Sequence, residues 1–309
     1  MPLGRTLLET TRRSKATSWM VKFTTAGVGL FKFYWCCVRE SHSEAKYPLD
    51  EESKYVLSVA IVPERLHTLP IVLYSVLSRN RPLVRKVFIT VAREDMETVL
   101  ESVHFQRAIA RGAEVLCSED LTGAVKKLLP ARERNPMDYV VTVDDDIVYS
   151  RRLLERLVLC SKTRPHAIIG ANGKTIYSHR GKLSVQFRRP GATAAPNSES
   201  IYIMGGHGTV YPPQSLAPSA HNREAIEAIV RQRGSDLWFY LAAVAQGTEQ
   251  HALRRSIKTE VPFTMRAKSR ELPGEVEMER RFQTAIDYFG VRDLLLAKLP
   301  ELLPVEIES

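Results

Sequence analysis

The sequence predicts an α/β fold, a mixed, mostly parallel sheet flanked by helices. Three observations carry this expectation. Short apolar, β-branched runs alternate with helical stretches from residue 55 to about 165. The run Tyr139 to Val143 (YVVTV) is apolar almost throughout, as a strand buried on both faces must be. The chain has 309 residues, 44% of them hydrophobic, enough for one large domain with appendages.

The elements follow in order. A polar stretch, RESHSEAKYPLDEESK, reads as a linker before the body. The first strand spans Tyr55 to Val62. A helix from about Leu69 to Leu77 tolerates Pro70 because it falls in the first turn. Val84 to Ala92 is the second strand, and a helix covers Asp95 to Ala110. Glu114 to Cys117 is a short third strand. Gly123 to Leu129 reads as helical and stops before Pro130. After the Tyr139 to Val143 strand, a helix runs from Arg151 to Cys160, with Ser150 placed to cap it. Beyond about residue 165 the pattern is irregular. Short strands fit Ala167–Gly170, Leu183–Phe187 and Ile201–Met204, and residues 189–199 read as a mobile loop. Helices fit 222–233, 235–246 and, with Phe282, Ile286 and Phe289 on one side, 276–299. The organisation expected is an extension and linker at 1–50, a main domain at 51–265 and a helical segment at 266–309.

Net charge is +9, and its distribution is uneven. Residues 1–40 carry seven Lys and Arg against two Glu. The body is only mildly basic, which argues against nucleic acid as a partner. Residues 19–38 are apolar and aromatic, but Lys22 and Lys32 interrupt them, so they do not read as a bilayer span. The segment fits a peripheral contact with an anionic membrane, a helix packed on the body, or a targeting peptide. Cys36, Cys37, Cys117 and Cys160 form no CxxC pair. They read as plain thiols, which suits a reducing compartment and a cytoplasmic location.

In a sheet of this kind ligands bind beyond the carboxyl ends of the strands. The positions to inspect are therefore Pro63–Arg65, Arg93–Asp95, Ser118–Asp120 and Asp144–Asp146. The last is the most informative. Three carboxylates following a buried strand repel one another unless a cation or a donor-rich ligand sits there. Asp144 and Asp146, two residues apart, share a side in extended backbone and are placed to hold one divalent ion. Hard oxygen ligands suit Mn²⁺ or Mg²⁺. A solvated acidic turn is the plain alternative. DDDIV also matches the nucleophile motif of haloacid-dehalogenase-type phosphatases, in which the first Asp attacks phosphorus.

DYVVTVDDDIVYS, GGHGTVYPP at 205–213 and GSDLWFYLAAVAQG at 234–247 resemble a group of bacterial polysaccharide-type glycosyltransferases. That group is marked by a strand plus DDD, a GxLYPP-like turn and a DDxW-like helix start. SVAIVPERLHTLPIVLYSVLSRN and EDLTGAVKKLLP agree with its opening segments, and the resemblance covers about residues 55–250. It implies the GT-A (Rossmann-like) fold and transfer of a sugar from a nucleotide-sugar donor to a glycan or lipid-linked acceptor. UDP is the default carrier, and inversion the default outcome. Asp146 would hold the metal, and Asp144 the metal or the ribose, with Asp145 at the same donor site. Either Lys126 or Lys127 takes the family's lysine position, the LLP that follows favouring Lys127, and would lie beside the nucleotide or its phosphates. Arg65 would line the base pocket, and Gly205 and Gly206 would let backbone approach the sugar. Asp236, the second acid of the DDxW-like segment, would be the base that takes the acceptor's proton. Its plain alternative is a helix cap. Two departures stand out: Ser235 replaces the first acid, and the Gly-Pro pair is blurred to Thr122-Gly123-Ala124. Ser235 keeps a non-catalytic nucleotide-binding relative in play. A sugar nucleotidyltransferase would want a glycine-rich loop after the first strand, and VPERLHTL has none.

Overall fold

The computed structural model describes residues 45–77, 82–118, 123–176, 198–231, 234–253 and 275–299, with positions 35, 38, 178, 179, 182 and 183. Along β1 (Tyr55–Ala60), β2 (Lys86–Ala92) and β4 (Tyr139–Val143), alternate residues point to opposite faces of one sheet. Leu57, Val59, Val87, Ile89, Val141 and Val143 enter one core, and Val56, Phe88 and Val140 enter a second on the other side. Both faces are covered, so these strands read as continuous apolar runs.

With β3 (Ala113–Ser118), β5 (Ile168–Gly170), β10 (Thr209–Tyr211) and β11 (Gln250–Ala252), they form a seven-stranded sheet ordered β3–β2–β1–β4–β10–β5–β11. Strand β10 alone runs against its neighbours β4 and β5, and every other pairing is parallel. The expected mixed, mostly parallel sheet flanked by helices is therefore what forms. Two small antiparallel pairs lie outside it: β6 (Gly173–Thr175) with β9 (Ile201–Ile203), and β7 (Ser178–His179) with β8 (Lys182–Leu183).

The first face is covered by α1 (Leu69–Leu77), α3 (Val103–Ala110) and α5 (Leu153–Thr163), through Leu69, Leu73, Phe105 and Leu157. The second is covered by α4 (Leu129–Arg134), α6 (Arg223–Ile229), α7 (Ser235–Gln246), α8 (Glu275–Phe289) and α9 (Arg292–Lys298). Helix α7 is buried almost all round, as a helix apolar on every side must be. Trp238 joins it to its surroundings: the indole N–H donates to the Ala220 carbonyl at 2.9 Å, and the ring stacks on Tyr288 at 5.3 Å. Phe282, Ile286 and Leu295 are fully buried in the same core. Ile286→Val is expected to cost about 1 kcal/mol in a urea melt. An unchanged midpoint would show that α8 does not contribute to that core.

Several boundaries differ from the sequence expectation. The helix expected from Asp95 to Ala110 is two helices, α2 (Met96–Leu100) and α3, because Ser102 adopts an extended ψ of 126° between them. Pro130 does not end a helix. It sits in the first turn of α4, where its missing N–H costs nothing, and Gly123–Lys127 is a separate 3-10 turn. Helix α5 starts at Leu153 rather than Arg151, with Arg152 in the position before it; Ser150 Oγ accepts from the Arg152 N–H at 3.4 Å, in the turn that leads into the helix. Asn222 does cap α6, accepting from the Ala225 N–H at 3.0 Å. Tyr211 belongs to strand β10 rather than to a turn. The helical pattern expected over 276–299 breaks at Gly290, where φ is +65°. Among the described residues no helix is long and apolar enough to cross a membrane. The basic aromatic segment lies outside the described residues except for positions 35 and 38, and so do residues 184–197, 254–274 and Asp120. Cys117 and Cys160 are free thiols.

Candidate functional site

Strands β1 and β4 pair in parallel from Tyr55↔Tyr139 to Val59↔Val143, so their carboxyl ends lie side by side. That register sets the 3-10 turn Pro63–Arg65 beside Asp144–Asp146. Arg65 Nη1 bonds Asp145 Oδ1 and Asp146 Oδ2, each at 2.9 Å. The Thr68 hydroxyl donates to the Asp145 carbonyl. The triplet therefore turns as soon as it leaves the strand, and does not continue the extended backbone that would align Asp144 with Asp146.

Lys127 arrives on the 3-10 turn Gly123–Lys127, which packs against β1 and β2. Its side chain is buried, and Nζ lies 2.7 Å from Asp144 Oδ1. Of the two candidate lysines, Lys127 is thus the one with an ion pair to Asp144.

The other wall comes from later in the chain. Strand β10 pairs antiparallel with β4, Thr209 opposite Thr142. This carries the Gly205–His207 turn over Asp144. The two glycines are required there by contact. A Cβ on Gly206 would lie 2.3 Å from Asp144 Oδ2, and one on Gly205 would lie 2.6 Å from Asp236 Oδ1 and 3.4 Å from Lys127 Nζ. Asp236 stands in the first turn of α7, a favourable place for a negative charge. Gly234, not Asp236, is the residue before that helix. The Gly205 backbone N–H faces the Asp236 carboxylate and favours its charge. Arg65, Lys127, the three acids, the two glycines and Asp236 are thereby gathered at one end of the sheet.

Burial dominates the electrostatics. It raises the Asp236 pKa, with Lys127 opposing it and Asp144 adding to it. It also raises Asp146, against Arg65, and pushes Asp145 up to about 6, again against Arg65. For Lys127 burial works against the charge, but Asp144 and Asp236 outweigh it and the pKa rises.

The donor set fits a divalent cation that takes part of its coordination from a ligand. Asp144 and Asp146 offer hard oxygens, and the glycine at 206 leaves open the space beside Asp144 Oδ2 that a Cβ would fill. Among the described residues no group of three His, Cys, Asp or Glu side chains converges to hold an ion by itself.

Four further side chains that were not among the expected site residues enter the site: Tyr149, His207, Tyr202 and Tyr211. Tyr149 is buried, and its hydroxyl accepts from the Asp144 N–H at 2.7 Å and donates to the Gly206 carbonyl at 2.6 Å. It clasps the acidic turn to the glycine turn. Its only sequence signal is its place inside DDDIVYS. His207 lies beside Asp144 and Asp236, with Nδ1 bonded to the Asn172 amide at 2.9 Å. Burial lowers its pKa despite the two carboxylates. Tyr202 and Tyr211 line the buried side of Asp236. Tyr149→Phe leaves a backbone N–H and a carbonyl without their shared partner. The expected loss is about 1–3 kcal/mol in denaturant unfolding, and a melt matching the wild type would show that the clasp carries no stability.

No family model matches the chain, and no curated protein matches it in sequence. Among solved structures it is similar to a mannosyltransferase from Pyrobaculum calidifontis in complex with GDP-Man and Mn²⁺, at 11% identity over 92% of this chain and 84% of that one, TM-score 0.43. It is also similar to glucosyl-3-phosphoglycerate synthase from Mycobacterium tuberculosis in complex with Mn²⁺, UDP-glucose and glycerol 3-phosphate, at 15% identity over 77% and 80% of the two chains, TM-score 0.44. The same enzyme with UDP and glucosyl-3-phosphoglycerate gives 14% identity over the same shares, TM-score 0.45. Likeness at this level bears on neither the substrate nor the chemistry of this chain.

Proposed function

We propose that the chain is a metal-dependent GT-A-type glycosyltransferase. It moves a sugar from a nucleotide-sugar, with UDP as the default carrier, to a glycan or lipid-linked acceptor, with inversion. The observation that carries this reading is the convergence of Asp144, Lys127, Gly205, Gly206 and Asp236, drawn from separate segments spread over residues 127–236, onto contacts of a few ångströms. In this reading Asp144 and Asp146 hold Mn²⁺ or Mg²⁺. Bound there, the ion offsets charge building on the leaving diphosphate. Lys127 adds positive charge at the same place, and Arg65, expected at the base pocket, lies close enough to add to it through its pairs with Asp145 and Asp146. The Gly205-Gly206 backbone lies close to the sugar. Asp236 takes the proton of the acceptor hydroxyl as its oxygen bonds the anomeric carbon and the bond from that carbon to the diphosphate breaks. A carboxylate whose pKa is raised by burial is the stronger base at neutral pH.

Ser235, at the position where the resembling family has an acid, favours one second reading: a relative that binds nucleotide without turnover. The first test is a thermal shift with UDP, GDP and CMP, each with Mn²⁺ or EDTA. A ligand of the native state at about 100 times its dissociation constant adds about 2.7 kcal/mol of stability. The expected result is a metal-dependent shift for one nucleotide that is lost in Asp146→Ala. No shift with any nucleotide would count against a donor site and send the search to phosphatase substrates. A shift without turnover would favour the non-catalytic relative.

A further inference from the structure

We propose that Arg65 and Lys127 are built-in counter-ions that keep a divalent metal off the acidic triplet until a diphosphate arrives, so that metal and donor load together. This rests on the donor-site reading above. Both acids proposed to hold the ion already have cationic partners: Arg65 Nη1 at 2.9 Å from Asp146 Oδ2, and Lys127 Nζ at 2.7 Å from Asp144 Oδ1. The acids reach solvent, with side chains 33% exposed for Asp144 and 18% for Asp146, so access is not what limits an incoming ion. The Lys127 side chain is only 3% exposed and cannot withdraw into water. Asp145, the third acid, is engaged by Arg65 as well.

An ion arriving alone therefore meets two positive charges already paired to its carboxylates, two carboxylates in place of three or more ligands, and, among the described residues, no group of three His, Cys, Asp or Glu side chains placed to hold it. Like charges a few ångströms apart repel strongly where water is partly excluded. A diphosphate changes each of these conditions. It supplies oxygen ligands to the ion and negative charge beside Arg65 and Lys127, which offsets their repulsion of the ion. The coupling is reciprocal: the diphosphate tightens the ion by the same factor by which the ion tightens the diphosphate.

The experiment titrates Mn²⁺ into the full chain and follows free Mn²⁺ by electron paramagnetic resonance, alone and with saturating pyrophosphate or UDP. Wild type should hold Mn²⁺ alone weakly, and the added anion should tighten it by a factor within roughly 5–150. Arg65→Gln should tighten Mn²⁺ alone by about tenfold, within the same range. Lys127→Met is the second variant, with the same expectation, and a thermal melt shows which variants fold. Unchanged or weaker Mn²⁺ binding in the folded variants overturns the proposal. If neither folds, the wild type decides, because equal Mn²⁺ affinity with and without the anion also overturns it. The outcomes separate this inference from the function. Tighter Mn²⁺ in the variants with no nucleotide bound keeps the counter-ions and removes the donor site. Metal-dependent nucleotide binding with no effect of Arg65→Gln does the reverse.

Discussion

Asp236→Asn is expected to lower the rate of sugar transfer by about 10²–10⁴-fold, the usual contribution of a positioned general base. The substitution is nearly isosteric, so the contact with Gly205 and the packing of α7 persist. Lys127 keeps its bond to Asp144, so the metal-dependent nucleotide shift should also persist. The variant thus separates donor binding from chemistry. Two further readouts follow from the raised pKa of Asp236. Wild-type turnover should fall toward acid through a pH above the ordinary carboxylate value of 3.8, because the base must be ionised. Stability moves the other way. A carboxyl whose folded pKa lies above its unfolded one loses stability as pH rises from the unfolded toward the folded pKa, so its charge burdens the fold at neutral pH. Asp236→Asn should therefore melt at or above the wild-type temperature at pH 7. Full turnover in this variant would place the base elsewhere.

Gly206→Ala should abolish the metal-dependent nucleotide shift and cost about 1–3 kcal/mol of stability, as overpacking does. The new Cβ would lie 2.3 Å from Asp144 Oδ2, closer than real side chains come. Neither wall can yield cheaply. The Asp144 carboxylate is held by Lys127, its N–H by Tyr149, and the Gly206 carbonyl by the same Tyr149 hydroxyl. The clash must then be relieved by moving Asp144, the residue proposed to meet the metal. Differential scanning fluorimetry with and without nucleotide and Mn²⁺ reads both effects at once. A wild-type ligand shift in this variant would mean that Asp144 is not needed at the donor site.

The legible part of the chain is the part whose pattern reports burial. YVVTV and KVFITVA lie inside strands β4 and β2, and helices α1 and α7 have the expected bounds, Leu69–Leu77 and Ser235–Gln246. Their periodicity is long or strong enough to show which faces leave water. The acidic triplet was visible for a related reason, since carboxylates directly after an apolar strand demand a partner. Strands β5 and β9 fall within the expected Ala167–Gly170 and Ile201–Met204, but β11 is too short to carry a period and β10 was hidden in a segment that reads as a turn. The break at Ser102 and the restart at Pro130 turn on local backbone angles that compete evenly with helix in the sequence.

The sequence by itself determined that an α/β sheet forms, that its strands are buried on both faces, and that Asp144–Asp146 lies at a strand's carboxyl end. Only the tertiary structure decided that Arg65 neutralises acids eighty residues away, that Lys127 rather than Lys126 meets Asp144, and that Tyr149 ties the acids to the glycine turn. The physical reason is that apolar periodicity records how much water a residue loses. It carries no record of which charge or hydroxyl, from elsewhere in the chain, replaces that water.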